Sequence, residues 1–249
     1  MSAWIGIGRS ETGLVRASNQ DAFAVIDQLG MWAVADGMGG HAGGEVAAQT
    51  AISTLQAQAA SSHERIRNGS TSPIDELSAL LSQAHDAILA RARSQSKLKG
   101  MGTTIVLLAI VPDHTSMAYV AHIGDSRAYR FRAGVLTPLT KDHSLIEKYL
   151  ERGILTPETA KTHPERHVLT RALGISAAAT PTITGCVMQE DDLVILCSDG
   201  LTKMLEDPDI QRILSDGDPS PGSACDRLVT AALDRGGEDN VTVVVVAYR

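Results

Sequence analysis

Four aspartates stand beside glycines at the ends of apolar runs in this sequence. They are Asp36, Asp125, Asp199 and Asp239. The first three follow their runs, whereas Asp239 precedes the run that closes the chain. Apolar runs of this kind are typical of buried strands, so each carboxylate would lie at the edge of a sheet. Neighbouring glycines let the backbone approach a bound group closely, and we expect the four aspartates to share one acidic site.

Four carboxylates at close range repel one another unless a cation lies between them. Neither histidine nor cysteine shares the strand-end positions of the aspartates, so the ligands would be oxygen atoms. Oxygen ligands favour Mg²⁺ or Mn²⁺ over Zn²⁺, and Gly37 could add its backbone carbonyl. Two such ions can activate water for attack on a phosphate ester. The aspartates therefore predict a metal-dependent phosphoesterase.

An anionic substrate also needs a cation on the protein, and Arg16 is the candidate. Its guanidinium can bind two phosphate oxygens at once. It lies just before Asn19-Gln20-Asp21, a polar turn that leads into a predicted strand.

The composition excludes several classes of function. With 249 residues, of which 43% are hydrophobic, the chain can bury one large core, and we predict a single domain over residues 1–249. A net charge of -7 argues against nucleic acid or an anionic membrane as the main partner. Aromatic residues make up only 3%, so a base-stacking surface is not expected.

The three cysteines show no metal-ligand spacing, which favours a reducing, cytoplasmic location. The amino terminus has no signal-peptide pattern, and no apolar run is long enough to cross a bilayer. We expect no membrane insertion and a monomer.

The order of predicted elements is strands, two helices, strands, an irregular excursion, strands, helices and a last strand. Helical patterns cover Glu45 to Ala60 and a second helix from Pro73, which Ser72 would cap. The polar stretch from Ser61 to Ser72 is predicted to connect them, and Pro112-Asp113-His114 to form a hairpin turn. This order favours an α+β fold with antiparallel sheets covered by helices.

Motifs along nearly the whole chain resemble those of bacterial metal-dependent Ser/Thr protein phosphatases of the PP2C (PPM) family. Each motif alone is weak, but the full set in this order is highly specific. The motifs are Arg16–Asp21, Asp36–His41 with Gly44-Glu45, Met101–Thr104, Gly124–Ala128, Leu139–Ser144, Thr170–Gly174, Ser198–Gly200 and Glu238–Thr242.

The resemblance implies a four-layer α-β-β-α sandwich, in which two antiparallel sheets are flanked by helices. It implies that Asp36 is catalytic and bridges two metal ions, Mn²⁺ or Mg²⁺. Gly37 would bind one ion through its carbonyl, and Asp199 and Asp239 would bind the other. Asp125 would bind a third ion, and the excursion at about residues 143–167 would be a flap beside the active site.

The resemblance also assigns residues around the metals. Arg16 would hold the substrate phosphate, and Gln20 and Asp21 would lie around the ions, acting through water. In eukaryotic members a histidine directly follows the Asp-Gly pair as the proposed general acid, whereas Met38 stands there in this chain. The next histidine, His41, is our candidate acid, and a metal-bound water is the alternative.

Several residues in the motifs have simpler interpretations. Asp142 could be a metal ligand, but capping a helix near Ser144 is the favoured role. Salt bridges that order the site are the favoured roles of Arg127 and Arg171. His122 is expected to pack or hydrogen-bond within a strand, and His163 and His167 to lie on the surface.

The leading hypothesis is a phosphatase that hydrolyses phosphoserine and phosphothreonine on proteins. It would reverse a Hanks-type Ser/Thr kinase, and one linked to type VI secretion is an option. One alternative is a non-catalytic regulatory module on the same fold, although such modules usually lose metal aspartates that this chain keeps. Another is a phosphatase of other phosphoesters, such as small phosphometabolites or phosphotyrosine.

Overall fold

Apolar runs rich in valine, isoleucine and leucine form two antiparallel sheets in the computed structural model, which describes residues 4–39, 43–111, 117–175, 179–218 and 220–248. The strands are β1 (Trp4–Glu11), β2 (Asp21–Ile26), β3 (Met31–Met38), β4 (Gly102–Thr103), β5 (Ile105–Ile110), β6 (Met117–Ile123), β7 (Arg127–Arg132), β8 (Val135–Pro138), β9 (Thr182–Val187), β10 (Leu193–Cys197) and β11 (Val241–Tyr248). The helices are α1 (Gly43–Arg67), α2 (Pro73–Ser94), α3 (Leu145–Glu151), α4 (Pro157–Lys161), α5 (Asp199–Thr202), α6 (Asp207–Ser215) and α7 (Pro221–Asp234).

Each sheet combines strands from both halves of the chain. One sheet has the order β1-β11-β10-β7-β8, and the other has the order β2-β3-β5-β6-β9 with the short β4 beside β3. The neighbouring strands all pair antiparallel, as β1 with β11 and β2 with β3 do. Side chains from both inner faces, among them Val106, Leu108, Val244 and Val246, form the core between the sheets.

Helices cover the outer face of each sheet. The inward-facing apolar residues of α1 and α2 pack on the sheet that contains β3 and β5. Those of α5, α6 and α7 pack on the sheet that contains β10 and β11. Strands β10 and β11 are therefore buried on both faces, which explains their nearly unbroken apolar sequence. The layers are α-β-β-α, as predicted.

The predicted connection from Ser61 to Ser72 is wrong over its first half. Helix α1 continues to Arg67, and two polar residues of its last turns contact α2. The hydroxyl of Ser62 donates to the buried Glu76 carboxylate at 2.7 Å, and the Arg65 guanidinium pairs with the same group. Ser72 caps α2 as predicted, since its side chain accepts a hydrogen bond from the Asp75 amide.

The segment between β8 and β9 crosses the end of the sandwich as short helices and turns. Ser144 caps α3, and Thr156 caps α4, whose first residue is Pro157. Lys161 at the end of α4 pairs with Glu206. This segment contains the predicted flap. The predicted hairpin turn at 112–114 lies outside the described residues, and within those residues no helix has the length and apolarity to span a membrane.

Leu108→Ala tests the core between the sheets. Leu108 is fully buried, so its truncation leaves a cavity that the two sheets cannot fill, and we expect the free energy of unfolding to fall by about 2–5 kcal/mol. The matched control is Leu14→Ala at a residue 69% exposed, with a change below about 0.5 kcal/mol. Urea denaturation measures both, and equal losses in the two variants would contradict this packing.

Candidate active site

One pocket of about 740 Å³ lies at the edge where the two sheets meet. The four aspartates predicted to act together all line it, although they come from four separate parts of the chain. The other residues on its wall include Arg16, Gln20, Gly37, Thr104, His167, Arg171, Lys203 and Asn240. The four aspartates therefore lie in one shared acidic site, as the sequence predicts.

Asp36 is held at the end of β3 by a neighbouring strand. Its backbone amide donates to the Thr104 hydroxyl at 3.1 Å, and its carbonyl accepts from the Thr103 hydroxyl at 2.9 Å. On the other side, Asp36 lies opposite Asp21 in the register of β2 and β3. Next to it, the backbones of Gly37 and Gly44 approach so closely that a Cβ on Gly37 would lie 2.1 Å from the Gly44 carbonyl oxygen. Only glycine fits there.

Asp239 lies two residues before β11, and its neighbour Asn240 fixes the loop that carries Arg16. The Asn240 side-chain amide donates to the carbonyls of Thr12 and Ser18 at 2.8 and 2.9 Å. Its side-chain oxygen accepts from the Gln20 amide at 2.8 Å. Asn240 is buried, so these bonds are shielded from water. The sequence placed Asn240 in a motif but did not indicate this positioning role.

Asp21 lies beneath the pocket and does not line it. One oxygen, Oδ2, accepts hydrogen bonds from the hydroxyls of Ser198 and Thr242, each at 2.7 Å. The other oxygen, Oδ1, is buried and has no hydrogen-bond partner among the described residues. Burial, followed by the charges of Asp199 and Asp239, raises the pKa of Asp21 to about 7 against the lowering effect of the two hydroxyls.

Negative charge accumulates in the pocket. Burial raises the pKa of Asp36 well above its usual value, and the charges of Asp21, Asp199 and Asp125 add to this. Burial and then Asp199 and Asp142 raise the pKa of Asp125 to about 7. These raised pKa values show that burial and neighbouring carboxylates outweigh the positive charge near Asp36 and Asp125. A cation in the pocket would relieve this.

The donor set fits a hard divalent cation. All four aspartates offer oxygen, and Oδ1 of Asp199 is buried without a hydrogen-bond partner among the described residues. Within that part of the chain, no three acidic, histidine or cysteine side chains already surround one point closely enough to hold an ion. Binding an ion would therefore require some side chains to move or water to complete the ligand set.

Lys203 supplies the positive charge that the sequence reading missed. Its ammonium lies 2.6 Å from Oδ2 of Asp199 and 2.8 Å from Oδ2 of Asp239. Burial alone would lower the pKa of Lys203, but the two carboxylates outweigh it and raise that pKa. The available signal was its position four residues after Asp199, a spacing at which side chains meet on a helix.

Arg16 reaches the pocket, as expected of a phosphate-binding residue. Its Nε lies 2.8 Å from Oδ1 of Asp239, and its terminal nitrogen donates to Oδ2 at 2.9 Å. Burial opposes the change, but Lys203 and Arg16 together lower the pKa of Asp239. Arg16 is 54% exposed, so its side chain can turn towards a ligand in the pocket.

Asp142 does not cap the helix after it, and that prediction is wrong. Ser144 caps α3 itself, while Asp142 accepts two hydrogen bonds of 2.8 Å from the Arg127 guanidinium. The salt bridge predicted for Arg127 is confirmed by this pair. For Arg171 none is found within the described ranges. It contacts the His143 ring and the Thr180 carbonyl instead.

The histidines lie at different places relative to the pocket. His41, the candidate general acid, lies outside the described residues. His122 is buried in β6 and stacks on His143 with ring centroids 4.4 Å apart, as its packing role predicts. His167 is exposed as expected, but it lies on the rim of the pocket.

Comparison with known proteins gives a consistent result. A family model described as protein phosphatase 2C matches residues 12–229. The serine/threonine protein phosphatase PstP of Mycobacterium tuberculosis is 38% identical over 237 residues, which are 95% of this chain and 43% of that protein. This chain therefore spans less than half the length of that relative.

Two solved structures are similar over almost their whole length. PppA, described as a key regulatory component of the type VI secretion system in Pseudomonas aeruginosa, has 32% identity and a TM-score of 0.81, with all of both chains covered. The PstP catalytic domain in complex with two manganese ions has 34% identity and a TM-score of 0.83, and the match covers 100% of this chain and 99% of that one.

Asp125→Asn tests the charge accumulated in the pocket. The Asp125 carboxyl loses its proton near pH 4 in the unfolded chain and near pH 7 in the folded, metal-free protein. Ionisation therefore favours the unfolded chain increasingly as the pH rises from about 4 to about 7. Asparagine cannot ionise and so avoids this loss. Relative to the native protein, the free energy of unfolding of the variant should therefore rise by about 1–2 kcal/mol between pH 5 and 8, a value that is reduced to allow for solvent in the pocket.

The measurement is urea denaturation of both proteins in buffers containing a chelator. Asp86→Asn on the exposed face of α2 is the control, because it makes the same chemical change away from the pocket. A difference between Asp125→Asn and the native protein that does not vary with pH would contradict the raised pKa.

Proposed function

Because this chain belongs to the protein phosphatase 2C family, we propose that it is a metal-dependent phosphatase that hydrolyses phosphoserine and phosphothreonine on proteins. The family match confirms the resemblance that the motifs predict. The observation that carries the proposal is the meeting of four aspartates from distant segments in one pocket with Arg16 at its side.

The proposed cofactors are two ions of Mn²⁺ or Mg²⁺, with a third at Asp125. Asp36 would contact both catalytic ions, Gly37 one of them, and Asp199 and Asp239 the other. When bound, the ions would activate water for attack on phosphorus and neutralise the phosphate oxygens. The manganese in the PstP domain and the buried oxygen of Asp199 that lacks a hydrogen-bond partner among the described residues support this assignment.

The protein side chains would bind and orient the substrate. Arg16 would leave Asp239 and bind two phosphate oxygens through its guanidinium. Asp21, fixed by the hydroxyls of Ser198 and Thr242, and Gln20 would hold water around the ions. The role of His41 as the donor of a proton to the leaving hydroxyl stays a prediction.

The proposed partners are phosphorylated proteins and a cognate Ser/Thr kinase. Similarity to PppA supports, for this chain too, a pathway linked to type VI secretion. Free thiols at all three cysteines support a cytoplasmic location, and we propose one catalytic domain over residues 1–249 that acts as a monomer. The substrate panel below includes phosphotyrosine and a small phosphoester, which the alternative phosphatase would hydrolyse.

Asp36→Asn tests the catalytic site. The change keeps the shape of the side chain but removes the charge that would bridge both ions, so we expect kcat on a phosphothreonine peptide with Mn²⁺ to fall by at least about 100-fold. Excess chelator should abolish the native activity, and Mn²⁺ should restore it. Asp86→Asn is the matched control and should retain native activity.

The same assay with phosphoserine, phosphotyrosine and a small phosphomonoester defines the substrate class. Higher kcat/KM on phosphotyrosine or on the small ester would favour the alternative phosphatase. No hydrolysis of any of them by the Mn²⁺-loaded native protein would favour the regulatory module.

Arg16→Lys tests phosphate binding. Lysine keeps the charge but cannot bind two oxygens in the planar geometry of the guanidinium, so we expect KM for a phosphothreonine peptide to rise about tenfold with a smaller change in kcat. Arg93→Lys, at an exposed position near the end of α2, makes the same chemical change away from the pocket. An unchanged KM in Arg16→Lys would remove Arg16 from substrate binding.

A further inference from the structure

The carboxylate oxygens of Asp199 and Asp239 already have positively charged partners. Lys203 contacts Oδ2 of both residues at 2.6 and 2.8 Å, and Arg16 contacts both oxygens of Asp239. The remaining oxygen, Oδ1 of Asp199, is buried without a hydrogen-bond partner in the described part of the chain. The two aspartates proposed to bind one metal ion are thus bridged by a lysine.

We propose that the Lys203 ammonium is a built-in counterion, which bridges Asp199 and Asp239 in the metal-free protein and must leave them when a divalent ion binds there. The inference rests on the proposed function, since it takes these two aspartates as metal ligands. It adds a residue that competes with the cofactor and so sets the metal concentration at which the site fills.

Electrostatics requires this competition. Without a cation between them, Asp199 and Asp239 would repel each other in a partly buried pocket that Asp36 and Asp125 also line. Lys203 removes that repulsion and stabilises the metal-free protein. A divalent ion bound to an oxygen that Lys203 contacts would lie within about 5 Å of the ammonium, given metal–oxygen distances near 2 Å. At that distance the two positive charges repel each other, because the carboxylates that they would share are only 19% and 16% exposed.

The surroundings of Lys203 allow the ammonium to move. Its side chain is 30% exposed, and lysine has a flexible stem of four carbons. Lys203 also lines a second cavity of about 610 Å³ beside the pocket, whose wall carries Glu206 and Asp207. An ammonium displaced from the metal ligands can therefore turn towards water in this cavity, where Glu206 already pairs with Lys161 and Asp207 accepts a hydrogen bond from Tyr129.

Lys203→Met separates the charge from the packing, because methionine keeps an unbranched apolar stem without the ammonium. We expect metal-free Lys203→Met to bind Mn²⁺ about tenfold more tightly than the native protein in calorimetric titration, as hydrogen bonds to charged groups no longer have to break. Its metal-free Tm should be about 2–4 °C lower, because the aspartates lose their counterion. The rise in Tm on adding Mn²⁺ should be correspondingly larger.

Lys141→Met is the matched control. The Lys141 ammonium also bridges two carboxylates, Glu147 at 3.2 Å and Glu151 at 2.8 Å, but these lie on α3 rather than on the proposed metal ligands. The control makes the same change in net charge, and its Mn²⁺ affinity should equal that of the native protein. Lys203→Gln serves as a second neutral variant if the methionine variant is poorly folded.

The outcomes distinguish this inference from the proposed function. Native protein that binds Mn²⁺ and hydrolyses the phosphothreonine peptide, together with an equal or weaker Mn²⁺ affinity in both Lys203 variants, would overturn only the role of Lys203. An equal gain in Mn²⁺ affinity for Lys141→Met would show that the gain comes from the change in net charge alone, and it would also overturn the role of Lys203. Native and variant proteins that bind no Mn²⁺ and show no hydrolysis would overturn both proposals.

Discussion

The rest of the site depends on one constraint, which is that several carboxylates share a pocket shielded from bulk water. Asp36 and Asp125 come together with Asp199 at the meeting edge of two sheets, and burial, followed by repulsion from neighbouring carboxylates, raises the pKa of Asp36 and of Asp125. A protein can tolerate this arrangement only if positive charge or hydrogen-bond donors compensate it. Two kinds of contact in the pocket supply such compensation. Ser198 and Thr242 donate to Asp21, while cationic side chains bind the aspartates nearer the surface.

The sandwich gives these carboxylates fixed positions. Strands β10 and β11 are buried on both faces, so the residues at their ends move little relative to the core. Asn240 ties the loop of Arg16 to the start of β11. The Arg127–Asp142 pair ties the beginning of the predicted flap to β7. Packing and charge thus act together, because the rigid apolar core keeps the carboxylates in place although they repel one another.

Cationic side chains of the protein bind the same aspartates that we propose as metal ligands. Asp239 is bound by Arg16 and Lys203, and Asp199 by Lys203. Filling the site with divalent ions therefore amounts to an exchange of positive charges, in which the guanidinium becomes free to meet a phosphate. This exchange links the proposed metal site to the proposed substrate site through one carboxylate. It gives a physical reason for the two to be occupied in sequence.

The sequence by itself determined the order of strands and helices, the capped start of α2 and the four aspartates, because periodicity and local motifs carry that information along the chain. The layer order followed from the resemblance of those motifs to a known family. It did not determine the length of α1, the partner of Asp142 or the place of Lys203. Those depend on contacts with other elements, as between Ser62 and Glu76 or between Arg127 and Asp142. Arg16 and Asp239 are 223 residues apart, and only strand register and sheet packing bring them within 2.8 Å. Local motifs depend on residues that are adjacent in sequence and can be recognised there. The partners that compensate a charge depend on which distant segments the fold brings together.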